Sequence, residues 1–313
     1  MDIRKGARIV IADCLGAKEG ETFLVVTDPK KRKIGEALYE EAEELGLKAH
    51  FLLMPETEVN GAEPSPLVAE AMKNADIVVC PTEFSLTHTQ ARKDAAARGA
   101  RIATMPGITE DMFGAGAIMA DYKKVAALSD RVTEILSKGE TARFEKDGHV
   151  LELSLKGRNG VSSNGLYLKP GDSGNLPTGE AYIAPVEGSA NGSIVVDGSL
   201  AGFGKVTGPL EIRIENGLAV EFKGPEAAWL ESKLATREAR NVAELGIGTN
   251  DMARLTGIIL EDEKVYGTIH LAFGSNNTFG GNIAAGVHID GIILNAVLSI
   301  DGQLIVKDGK VVV

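Results

Sequence analysis

The stretch TFLVVTDPKKRKIGEALYEEAEELG, residues 22–46, contains one complete strand-to-helix unit. Thr22–Val26 is a short apolar run with β-branched residues, the composition of a strand. Asp28-Pro29 interrupts it. Arg32–Leu45 then places apolar residues at helical spacing among charged ones, and Gly46 stands where a helix C-cap glycine belongs. The pattern repeats onward: Ala49–Met54 reads as a strand, Pro66–Asn74 as a helix and Ala75–Cys80 as a strand. Thr89–Arg98 reads as a helix stopped at Gly99, and Arg101–Thr104 as the next strand. Strands alternating with helices are βαβ units and predict a parallel sheet. A further helix, at about Met119–Ser137 and ending near Gly139, reads as a connector.

From about Thr141 the texture changes. Short alternating runs replace the helices: Val150–Leu155, Ser193–Val196, Leu210–Glu215, Leu218–Lys223, Lys264–Ala272, Gly286–Ile293, Val297–Ile300 and Leu304–Val313. Asp147-Gly148, Asp197-Gly198, Asn216-Gly217, Asp301-Gly302 and Asp308-Gly309 punctuate them, and Asn-Gly and Asp-Gly are strong hairpin signals. One helix is predicted within this half, at about Pro225–Arg240. The expected fold is α/β: a βαβ parallel-sheet domain over residues 1–118, a connecting helix over 119–140, and a mainly antiparallel, β-rich (α+β) metal-binding domain over 141–313.

Composition narrows the partners. The chain has 313 residues, 44% hydrophobic and 25% charged, enough apolar material for a sizeable core. A net charge of −11 disfavours nucleic acid and anionic membrane surfaces, which need basic protein surface. No run of about 18 apolar residues predicts a membrane span. Met-Asp-Ile-Arg-Lys-Gly lacks the apolar stretch of a secretion signal, so the expectation is a cytoplasmic protein with Cys14 and Cys80 as free thiols.

The chemistry-bearing residues lie in the second half. His288 and Asp290 stand two apart in a strand-like run, and residues two apart in a strand share a face. His270 lies 18 positions earlier, in another such run. Two histidines and a carboxylate on buried strands point to a divalent metal ion, for which imidazole and carboxylate are both suitable ligands. Glu180, after Pro177-Thr178-Gly179, and Glu244, between Ala243 and Leu245, are acids among small and apolar neighbours. Each is either a solvated loop acid or a buried acid that needs a partner.

Three other motifs carry less. Gly171-Asp172-Ser173-Gly174 copies the letters around a trypsin-like serine, but in the wrong fold context. Gly246-Ile247-Gly248 is a fragment of a dinucleotide fingerprint without its third glycine. His88, in Ser85-Leu86-Thr87-His88-Thr89-Gln90-Ala91-Arg92, sits at a helix start for which Ser85 and Thr87 are the expected caps.

Together, the segments 85–92, Met-Pro-Gly at 105–107, Pro-Thr-Gly-Glu at 177–180, Asn-Val-Ala-Glu-Leu-Gly-Ile-Gly-Thr-Asn at 241–250, Gly-Thr-Ile-His-Leu-Ala-Phe-Gly at 267–274 and His-Ile-Asp-Gly at 288–291 resemble the thermophilic metallo-aminopeptidases of the aminopeptidase T and S type. The resemblance implies a homodimer whose site holds two divalent ions (zinc, cobalt or manganese) on Glu180, Glu244, His270, His288 and Asp290. A metal-activated water then releases N-terminal residues from peptides, with Glu244 or Glu180 as general base. Asn277 occupies the place of that family's site tyrosine. A related group on the same scaffold, the 2,5-dihydroxypyridine ring-cleaving dioxygenases, uses a single ferrous ion. His270, His288 and Asp290 match the two-histidine, one-carboxylate set of such oxygenases. The aminopeptidase is therefore the expected activity, with the ring-cleaving dioxygenase as the alternative; in a third reading the metal only braces the β domain.

Overall fold

The structure, a computed structural model, describes residues 2–313. The chain forms two compact units. One comprises the chain up to Lys124 together with Gly165–Thr178; the other comprises Val125–Asn164 and Gly179–Val313.

The first unit is built on a five-stranded, all-parallel sheet in the order Lys48–Leu53, Thr22–Thr27, Ile77–Thr82, Arg101–Pro106, Ser173–Asn175. Phe23 to Thr27 are buried without interruption, as expected for a parallel strand covered on both faces. Asp28 is buried and accepts from the backbone N–H groups of Lys30 and Lys31, so the strand's end also starts the next helix. That helix, Arg32–Glu44, ends at Gly46, whose φ of +76° is the left-handed cap the sequence predicts. The fifth strand contains Ser173 of the serine-protease look-alike, whose Oγ accepts from Arg92 at 2.9 Å. The cap of the helix Gln90–Ala97 is Thr89, not Ser85 or Thr87. Thr87 instead bonds the Thr104 hydroxyl at 2.8 Å and Asn175 Oδ1 at 2.9 Å. Cys14 and Cys80 are buried free thiols, and burial pushes the Cys80 thiol up to about 12.

Arg101 locks this unit's N-terminal region to the sheet. Its buried guanidinium donates to the carbonyls of Leu15 at 2.6 Å and Gly16 at 3.0 Å, and to Glu21 Oε2 at 2.6 Å. Arg101→Met is expected to cost about 2–3 kcal/mol, because the buried Leu15 carbonyl and the half-buried Gly16 carbonyl lose a charged donor while the half-buried Glu21 rehydrates. Urea unfolding measures it; an unchanged midpoint would refute the assignment.

The second unit packs an eight-stranded and a seven-stranded sheet face to face. The first runs Leu218–Lys223, Leu210–Glu215, Asn191–Val196, His149–Ser154, Thr141–Lys146, Val297–Ile300, Gln303–Lys307, Lys310–Val311. The second runs Gly204–Lys205, Ser199–Leu200, His288–Ile293, Ile269–Gly274, Val242–Gly248, Glu180–Ile183, Val161–Ser163. Phe144, Leu151 and Ile194 of one meet Leu245, Leu271 and Ile293 of the other in a continuous apolar core. Asp147-Gly148, Asn216-Gly217, Asp301-Gly302 and Asp308-Gly309 all have paired positive φ, the tight hairpin geometry their sequences predict. Asp197-Gly198 does not form such a turn. There the chain crosses from one sheet to the other, and Asp197 instead accepts from Leu294 N at 2.9 Å and pairs with Lys146 at 2.8 Å. The predicted α/β class, a parallel-sheet part followed by an antiparallel β-rich part, is the one observed.

Candidate metal centre

Four adjacent strands of the seven-stranded sheet build the site on one face. Cross-strand partners share a face. Glu180 lies opposite Gly248, Tyr182 opposite Gly246, Gly246 opposite His270, Glu244 opposite Ala272, Ala272 opposite Asp290 and Gly274 opposite His288. All five residues singled out from the sequence therefore emerge on the same side. The alternate residues Ala181, Leu245, Leu271 and Ile289 enter the core. Glu244 keeps the period of two with Gly246, pairing with Ala272 as Gly246 pairs with His270; a bulge just before it, where Val242 pairs with Phe273, returns Val242 to the core.

The side chains converge. His270 Nε2 lies 3.2 Å from Glu244 Oε1 and 3.3 Å from Glu180 Oε2. His288 Nε2 lies 3.5 Å from Glu244 Oε2 and 3.4 Å from Asp290 Oδ1. Glu180, Glu244 and His270 offer donor atoms within 4.8 Å of one another, as do Glu244, His288 and Asp290. Glu180, Glu244, His270 and Asp290 are buried. His288 is not, contrary to the buried position its strand pattern suggests: it opens its strand at the rim and keeps 32% of its side chain in solvent. Its Nδ1 donates to Ser275 O at 2.8 Å, which turns Nε2 toward the carboxylates.

Gly246 makes room for His270. A Cβ there would fall 1.9 Å from Nε2, so the imidazole lies directly across the neighbouring strand. The glycines of the Gly-Ile-Gly fragment thus have a packing reason unrelated to a nucleotide.

The electrostatics are those of a cation site. Burial disfavours the imidazolium of His270, yet Glu244, Glu180 and Asp290 raise it to about 9. For His288, Asp290 and Glu244 overcome the same penalty and raise it to about 10. Burial opposes ionisation of Asp290, but His288, His270 and Lys264 hold its carboxyl down at about 2. Glu180 Oε2 is buried without a hydrogen-bond partner. Such a donor set, carboxylate-rich with two imidazoles and an orphaned buried oxygen, fits a divalent ion, which would displace the protons the imidazoles otherwise take up.

Four neighbours escaped the sequence reading. Lys264, within a run predicted as strand, lies instead in the turn after the short helix Ile259–Asp262, and its buried Nζ sits 2.7 Å from Glu180 Oε1. Glu263 contacts the same ammonium, and burial lifts its carboxyl to about 7. Tyr182 shares the site face two residues after Glu180, a position legible from the strand period. Burial, then Glu244 and Glu180, push its hydroxyl well above the usual range. Phe279 stands edge-on to Tyr182 at 5.5 Å and to His288 at 5.8 Å. Asn277 points into solvent, and its backbone N–H donates to Ile283 O. No helix of the described residues is long and apolar enough to cross a membrane.

Comparison with solved structures places two at full length. A 2,5-dihydroxypyridine dioxygenase from Pseudomonas putida KT2440 superposes with a TM-score of 0.84 at 18% identity, covering 100% of this chain and 98% of that one. AmpT from Thermus thermophilus superposes with a TM-score of 0.73, also at 18% identity, covering 99% of each chain. At that identity both likenesses show the fold. No curated protein sequence matches the chain. The family model of 2,5-dihydroxypyridine 5,6-dioxygenase (NicX) matches residues 10–313. This corrects the expected activity: the aminopeptidase, protease and hydrolase reading gives way. The physical reason is that the scaffold presents carboxylates and imidazoles suited to either chemistry, so the ligand types could not choose and the resemblance of the surrounding segments favoured the wrong one. The chain is an enzyme and belongs to the 2,5-dihydroxypyridine 5,6-dioxygenase (NicX) family.

Proposed function

We propose that this protein opens the ring of a dihydroxylated pyridine with dioxygen, using one ferrous ion held by His270, His288 and Asp290. The observation that carries the reading is that two imidazoles and Asp290 emerge on one sheet face with Glu244 between the imidazoles, in a chain of this family. A ferrous ion bound there would supply the redox chemistry that lets dioxygen react with an electron-rich ring.

The chain's own residues have separate tasks. Ser275 O fixes the tautomer and direction of His288. Glu244, between the two imidazoles, is placed to accept a proton from a ring hydroxyl at its carboxylate. Tyr182 and Phe279 form an aromatic wall suited to a flat substrate. Phe279 is held there by its loop: buried Asn276 bonds Glu187 and the Ile283 N–H, and Arg158 reaches both Glu187 and Gly280 O. Both atoms of dioxygen enter the ring-opened product, so substrate and oxygen disappear one for one.

The test is oxygen uptake by anaerobically iron-loaded protein given 2,5-dihydroxypyridine. Stoichiometric uptake with loss of the ring's absorbance is expected. No uptake with ferrous iron and any dihydroxypyridine would refute the reading.

A further inference from the structure

The two donor groups of the centre share Glu244. A carboxylate common to two three-ligand sets is the arrangement that suits a pair of ions. One of the sets, however, already has a cation beside it. Lys264 is 1% exposed, its Nζ lies 2.7 Å from Glu180 Oε1, and no other side chain of the donor sets is paired with a fixed positive charge among the described residues. Its backbone is anchored, N–H to Glu261 O at 3.0 Å and O to Asn250 N–H at 2.9 Å, and burial encloses its side chain.

We infer that the Lys264 ammonium takes the place of a second metal ion: it keeps Glu180 as its own partner, and the centre accepts one divalent ion instead of two. The inference rests on the single-ion reading above and supplies its cause. Three carboxylates face the centre: Glu180, Glu244 and Asp290. One ammonium and one divalent ion neutralise them. A second divalent ion would leave two surplus positive charges in a buried site, beside an ammonium it must not approach. Glu263 contacts the same ammonium and keeps 16% of its side chain in solvent, so water offsets part of its charge. Glu180 then acts as a positioning residue. Oε1 holds Lys264, and Oε2 faces His270 Nε2 at 3.3 Å.

The experiment counts ions. Metal-stripped wild type, Lys264→Met and Glu180→Gln are loaded anaerobically with Mn²⁺, desalted, and analysed for metal per chain and by electron paramagnetic resonance. One ion with an uncoupled signal is expected for the wild type. Lys264→Met should take up two ions with a spin-coupled signal, because Glu180 is released as a ligand. Glu180→Gln should keep one ion, with affinity lowered no more than about 100-fold, as for loss of an outer partner. Two ions in the wild type, one in Lys264→Met, or none in Glu180→Gln would each overturn the inference. Should Lys264→Met fail to fold, the double variant Lys264→Met/Glu180→Gln removes both charges together and must hold one ion; none or two overturns the inference. Oxygen uptake by iron-loaded wild type is read separately. Uptake with a single ion in both wild type and Lys264→Met sinks this inference alone; two ions without uptake sink the dioxygenase reading as well.

Discussion

His270→Ala is expected to abolish ring cleavage and to remove the bound ion, with the fold retained. The imidazole is fully buried, and its Nε2 stands between Glu244 and Glu180. Losing a residue that only orients a ligand costs roughly 10–100-fold in metal affinity or activity, so losing the ligand itself should cost more than about 100-fold. The two carboxylates it leaves behind repel each other and hold a cation with fewer donors. Metal content after desalting and oxygen uptake measure both effects. Wild-type metal content together with wild-type turnover would exclude His270 from the centre.

Gly246→Ala is expected to mimic that loss without touching a ligand. The new methyl would lie 1.9 Å from His270 Nε2, with further ring atoms at 2.3 and 2.6 Å. No relaxation of a few tenths of an ångström relieves such overlap, so the ring must swing off the strand and away from Glu244. Overpacking of this kind costs about 1–3 kcal/mol, which a thermal or urea melt would register. Metal binding should fall as far as in His270→Ala, although alanine is chemically inert. A variant that binds the ion with wild-type affinity would show that the imidazole does not need this space.

Much of the fold was legible because its signals are local. The apolar run at 22–26, the amphipathic stretch to Leu45 and the glycine at 46 need no distant partner to be read. The hairpin dipeptides behave alike, since positive φ at Asp147-Gly148 or Asn216-Gly217 is a property of those residues. Asp197-Gly198 failed for the opposite reason. The same letters serve a crossing between sheets, because Lys146 and Leu294, remote in sequence, satisfy the aspartate.

The site divides along the same line. His288 and Asp290 were paired from the strand period alone, and Tyr182 follows from Glu180 by the same rule. Glu244 faces the site because it shares a side with Gly246 and, across the sheet, with His270, a pairing between strands that no local pattern announces. Phe279 sits in a loop whose course is set by Arg158, Glu187 and Asn276, so periodicity has nothing to say about it. The activity went astray because the resemblance of whole segments to aminopeptidases was followed where the ligands suit both reactions. Carboxylates and imidazoles serve a two-ion hydrolase and a one-ion oxygenase equally well, and neither periodicity nor spacing counts ions.

By itself, then, the sequence determined the α/β class, the antiparallel second half and the identity of five clustered acids and histidines, because periods of 2 and 3.6 and turn chemistry act between near neighbours. Only the tertiary structure decided how those five share a face, where Gly246 clears space for His270, and that Lys264 meets Glu180 across 84 positions of chain. Charge balance in a buried site is a sum over everything within a few ångströms, and which residues enter that sum is settled by folding alone.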